Sequence, residues 1–228
     1  MMLAWAAVVL SLAARHAFIQ RRTLRLVRQA KPLDAARIPV DLEELRADIG
    51  LRGKVPLVSS PAVTVPVVWG WFRPSLMVPP DFFDSFTPNQ ARWILLHELA
   101  HVRRGDVWAR LIQGLFQIAF FFNPVVLAVN RIVDCLREYA CDDEAILAST
   151  ASRQECGEGL LGIATQTQAR PVLMPYALGL SRNGRFIGRR IMRIQDETRN
   201  IQIGLSLKSC IALLLFAALV LPLGGTVA

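Results

Sequence analysis

The chain has 228 residues, 53% of them apolar, and a formal charge of +8. With a positive mean hydropathy, that is enough for one domain plus membrane segments and too apolar for an ordinary soluble basic protein. The basic residues flank the two most apolar stretches, where membrane orientation places charge, so direct nucleic-acid binding is not expected.

Met1 to Ala14 is apolar and is followed by Arg15, Arg21, Arg22, Arg25, Arg28 and Lys31. No positive residue precedes it and no small-residue cleavage site follows, so residues 1–19 read as a transmembrane helix rather than a signal peptide. Its basic end would face the cytosol. His16, at that boundary, is expected to be an interfacial side chain. Residues 20–54 are charged and predicted helical in two pieces, broken near Pro32 and Pro39. The second piece begins about Asp41, has Glu43 and Glu44 in its first turn and is closed by Gly50 and Gly53.

From Val55 to Pro80 the composition turns to Val, Pro, Thr and Trp, which predicts short strands at 55–59, 62–69 and 75–78. The prolines within them demote at least one to a sheet edge. An edge beside a metal helix would suit a peptidase, because an extended substrate can add itself as a further strand. A purely structural sheet is the plainer alternative.

Thr87 to Asp106 carries the main chemistry. Thr87 and Gln90 fit a reciprocal helix cap, Pro88 suits the first helical position and Gly105 marks the end. His97 and His101 then stand one above the other on one face and can both reach one ion. Glu98, between them, is placed to act as general base on a water at the metal without being a ligand. The surrounding Trp93-Ile94-Leu95-Leu96 and Leu99-Ala100 are apolar, and ionisable groups clustered in an apolar helix need a partner to offset their burial.

After Asp106, Val107 to Phe122 and Val125 to Val133 are nearly uncharged and are separated by Asn123-Pro124. As one span they are long enough to cross a bilayer, which would leave Glu138, the candidate third ligand, on the wrong side. A helical hairpin over 107–136 that turns at Asn123-Pro124 and dips into the membrane removes the conflict. Its second helix runs through Glu138 to about Ala148. Glu138 and Asp142 share a face of it, Glu138 to bind zinc and Asp142 to orient a ligand histidine. A solvated acidic patch is the alternative for this cluster. Cys135, Cys141, Cys156 and Cys210 show neither a Cys-x-x-Cys pair nor disulfide spacing, so reduced thiols are expected, Cys141 as a small buried one.

Beyond residue 150, a helix is predicted over Gly157 to Ala164, a loop over Gln166 to Pro175 and a basic helix over Gly184 to Gln195. The Arg185, Arg189, Arg190 and Arg193 side chains of that last helix are expected to face lipid headgroups. Residues 209–228 read as a second transmembrane helix, with Lys208 before it. The fold class is therefore α+β: a membrane-anchored, mostly helical zinc domain over 20–208 with a small mixed or antiparallel sheet, flanked by transmembrane helices.

These blocks resemble the BlaR/MecR family of membrane metallopeptidases, whose best-known members sense β-lactams. The resemblance covers roughly residues 40 to 208 and rests on Val67-Val68-Trp69-Gly70-Trp71-Phe72-Arg73-Pro74-Ser75-Leu76-Met77-Val78-Pro79, on His97-Glu98-Leu99-Ala100-His101-Val102-Arg103-Arg104-Gly105-Asp106 and on Arg137-Glu138-Tyr139-Ala140-Cys141-Asp142. It implies His97, His101 and Glu138 as Zn2+ ligands, Glu98 as the catalytic base, and Asp106 and Asp142 as acidic support residues. The Glu-Tyr-x-x-Asp block is also similar to that of the Ste24/HtpX-type membrane proteases, which act in quality control.

Sensing members of the family carry more N-terminal membrane helices and an external sensor, so a penicillin-binding sensor is not expected in this chain. The resemblance implies regulated proteolysis, of a transcriptional repressor or of the chain itself. A non-catalytic, zinc-stabilised transducer is the non-enzymatic alternative. The expected partners are a protein or peptide substrate, the lipid bilayer and a second copy of the chain, at the inner membrane with the catalytic domain facing the cytosol. Tyr139 and Tyr176 are candidate oxyanion donors.

Overall fold

The computed structural model describes residues 2–28, 30–33, 38–70, 72–169, 184–199 and 201. The second transmembrane helix expected over 209–228 lies outside the described residues, as do Tyr176 and most of the loop predicted before Pro175.

Helix α1, Met2–Arg28, runs straight through the boundary expected near residue 19. The basic run has no helix breaker before Lys31, so it continues the apolar helix instead of starting a new one. Met2–Arg25 is the one span among the described residues long and apolar enough to cross a membrane. It lies along a later helix: Trp5 Nε1 donates to the Ala119 carbonyl at 3.3 Å. The His16 ring also packs over Gly114, so it faces protein as well as the predicted interface.

The sheet has four strands, β1 Lys31–Pro32, β2 Leu57–Ser59, β3 Val67–Trp69 and β4 Ser75–Val78, in the order β1-β2-β4-β3. It is mixed, because β2 and β4 run parallel while the outer pairs are antiparallel. β1 falls where a break between helices was predicted, and its proline is tolerated at an outer edge. Only the end of the predicted strand 62–69 is extended; the part before Pro66 is turn, with Ser60 Oγ accepting from the Ala62 amide.

Helix α2, Leu42–Asp48, starts where expected, with the Asp41 carboxylate accepting from the Glu43 amide at 2.8 Å. A short helix α3, Phe82–Ser85, then leads to α4, Pro88–Arg104. The reciprocal cap of α4 is complete: Thr87 accepts from the Gln90 amide and Gln90 from the Thr87 amide. α4 is buried on nearly every side, through Trp93, Ile94, Leu95, Leu96, Leu99 and Ala100, which makes it the axis of the core. Gly105 ends it in the left-handed region at φ 68°, turning the chain into α5, Asp106–Ala119.

α5 is about 21 Å long, too short to cross a bilayer core of about 30 Å. The chain reverses at Asn123, whose side chain accepts from the Val125 amide, and α6, Pro124–Ala148, runs back. Glu138 thereby returns to the end of the molecule that holds His97 and His101. Inside the hairpin, Gln113 Nε2 donates to the Asn130 carbonyl and to Asp134, while Arg137 pairs with Asp134. Its outer face exposes Ile112, Leu115, Phe116, Val125, Val129 and Ile132.

α7, Arg153–Ala169, is longer at both ends than the predicted 157–164. Its start is a second reciprocal cap, Ser152 with Glu155, that the sequence reading passed over. It packs against α4, and at Gly162 it approaches the Phe86 ring, at the end of α3, so closely that a Cβ would meet that ring at 2.6 Å. α8, Gly184–Gln195, has the predicted bounds and buries Phe186, Ile187 and Ile194.

Candidate metal centre

Helical spacing on α4 stacks the two imidazoles with centroids 5.1 Å apart and planes at 90°. Each has a carboxylate oxygen close beside its Nδ1. Asp142 Oδ1, from α6, stands 3.0 Å from His97 Nδ1, and Asp106 Oδ2, on the first residue of α5, stands 2.7 Å from His101 Nδ1. Both Nε2 atoms are thus turned to a common point, where Glu138 meets them: Oε2 is 3.7 Å from His97 Nε2 and Oε1 is 3.7 Å from His101 Nε2.

One ligand atom from each of His97, His101 and Glu138 lies within 4.8 Å of the others. Tetrahedral donors at about 2.1 Å from zinc are spaced by roughly 3.4 Å, so a small inward adjustment would complete the grip. Two imidazoles and one carboxylate also form a donor set suited to a zinc ion that keeps a position open. His101, Asp106 and Cys141 form a second such group by distance. Burial, with Asp106 and Glu138 beside it, pushes the Cys141 thiol far above its ordinary range. It is a small buried thiol, 3.2 Å from His101 Nδ1.

The electrostatics follow from burial opposed by close partners. Burial pulls the His97 imidazole down, but Asp142 and Glu138 outweigh it and push it up to about 9. Burial works against the Glu138 charge, yet Arg190 and the two histidines hold this carboxyl well below its usual range. Asp142 is lowered in the same way: burial is overcome by Arg190 and His97.

Arg190 is the main site residue that the sequence reading misplaced. Instead of facing headgroups, it is 7% exposed and reaches from α8 into the centre. Its Nε donates to Asp142 Oδ2 at 2.8 Å, one terminal nitrogen to Asp142 Oδ1 at 2.7 Å and the other to Glu138 Oε2 at 2.9 Å. Arg193 also turns inward, to Asp143 at 2.6 Å and over the Tyr139 ring at 4.9 Å.

The acidic run of α6 is consequently not a solvated patch. Asp142 pairs with Arg190, Asp143 with Arg193 and Arg199, and Glu144 with Arg103 and Arg104. Tyr139 is turned to Phe186 and Arg193 and does not line the cavity beside the centre, so the structure gives no support to its expected oxyanion role. Arg110, which the sequence reading left out, does line that cavity and lies 3.6 Å from Glu138 Oε1.

The cavity has a volume of about 320 Å³ and is bordered by His97, Glu98, His101, Glu138 and the β3 stretch Val65 to Val68. Glu98 is half-buried on its wall. Among the described residues β3 pairs only with β4, which leaves its other edge without a described strand beside it, an edge of the kind that can accept an extended chain. The arrangement can hold a divalent ion, keep a carboxylate beside it for proton transfer and align a peptide next to both.

Comparison with known proteins points the same way. The "Regulatory protein BlaR1" of Bacillus licheniformis is 31% identical over 97 residues, 42% of this chain and 16% of that protein. The "Methicillin resistance mecR1 protein" of Staphylococcus aureus is 25% identical over 121 residues, 52% of this chain and 21% of that protein. A Staphylococcus aureus "Regulatory protein BlaR1" is 22% identical over 133 residues, 58% of this chain and 22% of that protein. The chain thus spans about a fifth of the length of these relatives. The model of the family described as "BlaR1 peptidase M56" matches residues 1–194, a stretch that includes α4, the hairpin and Arg190, and so the chain belongs to the BlaR1 peptidase M56 family.

Proposed function

We propose that the chain is a membrane-anchored zinc endopeptidase that hydrolyses peptide bonds in a cytosolic or membrane-proximal protein. The observation that carries this reading is the convergence of His97, His101 and Glu138 beside a cavity that also holds Glu98 and is bordered by the β3 edge that no described strand occupies. Zinc held by those three side chains would supply Lewis acidity toward a peptide carbonyl and make a water acidic enough to attack.

The protein's own groups do the rest. Asp106 holds the His101 imidazole by Nδ1 and Asp142 stands 3.0 Å behind Nδ1 of His97, so that Nε2 is the nitrogen each offers. Glu98, next to a ligand but outside the donor set, takes the proton of the attacking water and delivers it to the leaving amine. A substrate lying antiparallel to β3 gains main-chain hydrogen bonds from an edge that neighbours the centre. α1 and the apolar outer face of the α5–α6 hairpin anchor the domain in the bilayer, with the basic C-terminal part of α1 on the cytosolic side. The names of the relatives, a regulatory protein and a resistance protein, support regulated proteolysis as the setting.

The test compares zinc content and peptide cleavage in wild type, His97→Ala, Glu138→Ala and Glu98→Gln. The first two variants should lose zinc. Glu98→Gln should keep it while cleavage falls by about 10²–10⁴-fold. Full cleavage by Glu98→Gln would overturn the assigned base, and undiminished zinc binding by Glu138→Ala would overturn the donor set.

A further inference from the structure

Arg190 sits within the apolar stripe of α8, four residues from Phe186 and Ile194 and three from Ile187. A cation buried in such a stripe needs its charge met. Here it is met at the centre itself, by three donated hydrogen bonds to two carboxylates. One of these, Glu138, presents its two oxygens to different surroundings. Each oxygen lies 3.7 Å from one histidine Nε2, Oε2 from that of His97 and Oε1 from that of His101, but Oε2 also accepts from Arg190 at 2.9 Å, whereas Oε1 meets a guanidinium, that of Arg110, only at 3.6 Å.

We infer that Arg190 is a positioning residue for the metal centre, which occupies Glu138 Oε2 so that Oε1 alone is offered to the ion, and which fixes Asp142 behind His97. This rests on the zinc reading given above. An ionised carboxylate free of such a clamp can offer both oxygens at once, and a second bound oxygen would fill the position that an attacking water requires. The planar fork of arginine can bind two carboxylates in one fixed geometry, while a lysine ammonium is a single point charge on a flexible stem. The site is therefore built from three distant pieces of chain rather than two, and α8 supplies no ligand but decides how one ligand binds.

Arg193, on the next turn of the same helix, provides the control, because it ties α8 to Asp143 without touching a ligand. The full chain in detergent would be prepared as wild type, Arg190→Gln, Arg190→Lys and Arg193→Ala. Zinc affinity would be read by competition with a chromophoric chelator, and coordination by the visible absorption of the cobalt-substituted protein. Arg190→Gln should bind zinc about 10–100-fold more weakly, the usual effect of losing a group that orients a ligand. Its cobalt bands should also weaken as coordination number rises. Arg190→Lys should shift both readouts in the same direction by less, and it carries the test should Arg190→Gln fail to fold. Arg193→Ala should melt at a lower temperature with zinc affinity and cobalt spectrum unchanged. Wild-type affinity and spectrum in the Arg190 variants, or equal weakening by Arg193→Ala, would overturn the inference and leave the zinc reading standing. A wild-type chain that binds no zinc would overturn the zinc reading first.

Discussion

Asp106 Oδ2 lies 2.7 Å from His101 Nδ1, across the Gly105 corner where α4 gives way to α5. The two residues are five apart in sequence, yet they face each other only because that corner is left-handed and folds the first turn of α5 back onto the last turn of α4. The contact orients the ring and fixes which nitrogen remains for an ion. Asp106→Asn and Asp142→Asn each remove a charge behind a histidine while keeping the volume. Each should weaken zinc binding by about 10–100-fold with helix content unchanged, measured by chelator competition and circular dichroism.

The acid–base state of His97 sets a pH dependence. With only protein groups around it, burial is outweighed by Asp142 and Glu138, and the imidazole is held protonated up to about 9. A bound ion requires the neutral ring, so zinc must displace a proton at neutral pH. Zinc affinity should rise by about tenfold per pH unit from the neutral range until it levels near that value. The sign for stability is opposite. Because the folded pKa is raised, the contribution of His97 to the metal-free fold is complete below the ordinary value of 6.5 and is lost as pH climbs to about 9. A zinc affinity that is flat across this interval would show that the ring is already neutral.

Glu144 is buried on α6 and accepts from Arg103 at 3.2 Å and Arg104 at 3.1 Å, both on the last turn of α4. Glu144→Ala should destabilise the fold by about 1–3 kcal/mol. The lower end applies because both guanidiniums reach solvent, which screens the pair. Denaturant unfolding in detergent would measure it, and a change below about 0.5 kcal/mol would mean that the arginines are satisfied by water.

Gly70 holds the turn between β3 and β4 at φ 111°, where a Cβ would stand 2.4 Å from the Arg73 carbonyl oxygen. Gly70→Ala combines a left-handed penalty of about 1–2 kcal/mol with a clash against main chain. The relief is a shift of β3, which borders the cavity. The variant should therefore lose peptide affinity while keeping zinc, a pattern visible as a raised KM beside unchanged metal content.

Local rules made α4 legible before any coordinates. Its cap, its proline and its terminal glycine are all interactions between near neighbours in sequence, and so are the two histidines on one face. The α5–α6 hairpin was legible for a different reason. A single crossing would have separated Glu138 from His97 and His101, and the reversal at Asn123-Pro124 removes that conflict.

Other features depend on partners that local pattern does not name. β1 is two residues long, contains a proline and exists because β2 pairs with it, so its own composition carries little strand signal. Local pattern leaves a solvated patch open as the alternative for the acidic run 142–144 until arginines from α4, α8 and position 199 are brought to it. Arg190 did leave a trace in the sequence. Counting four residues from Phe186 and four to Ile194 puts it inside the apolar stripe, and a charge there announces a buried counterpart.

The order of synthesis gives the α8 contact a temporal side. Both histidines and Glu138 leave the ribosome before the helix that carries Arg190, which follows Glu138 by 52 positions. A nascent chain therefore passes through an interval in which Glu138 and Asp142 are already translated but the guanidinium that ties them is still inside the exit tunnel. The emergence of α8, rather than that of the His-Glu-x-x-His helix, is when this candidate centre can first take its finished form.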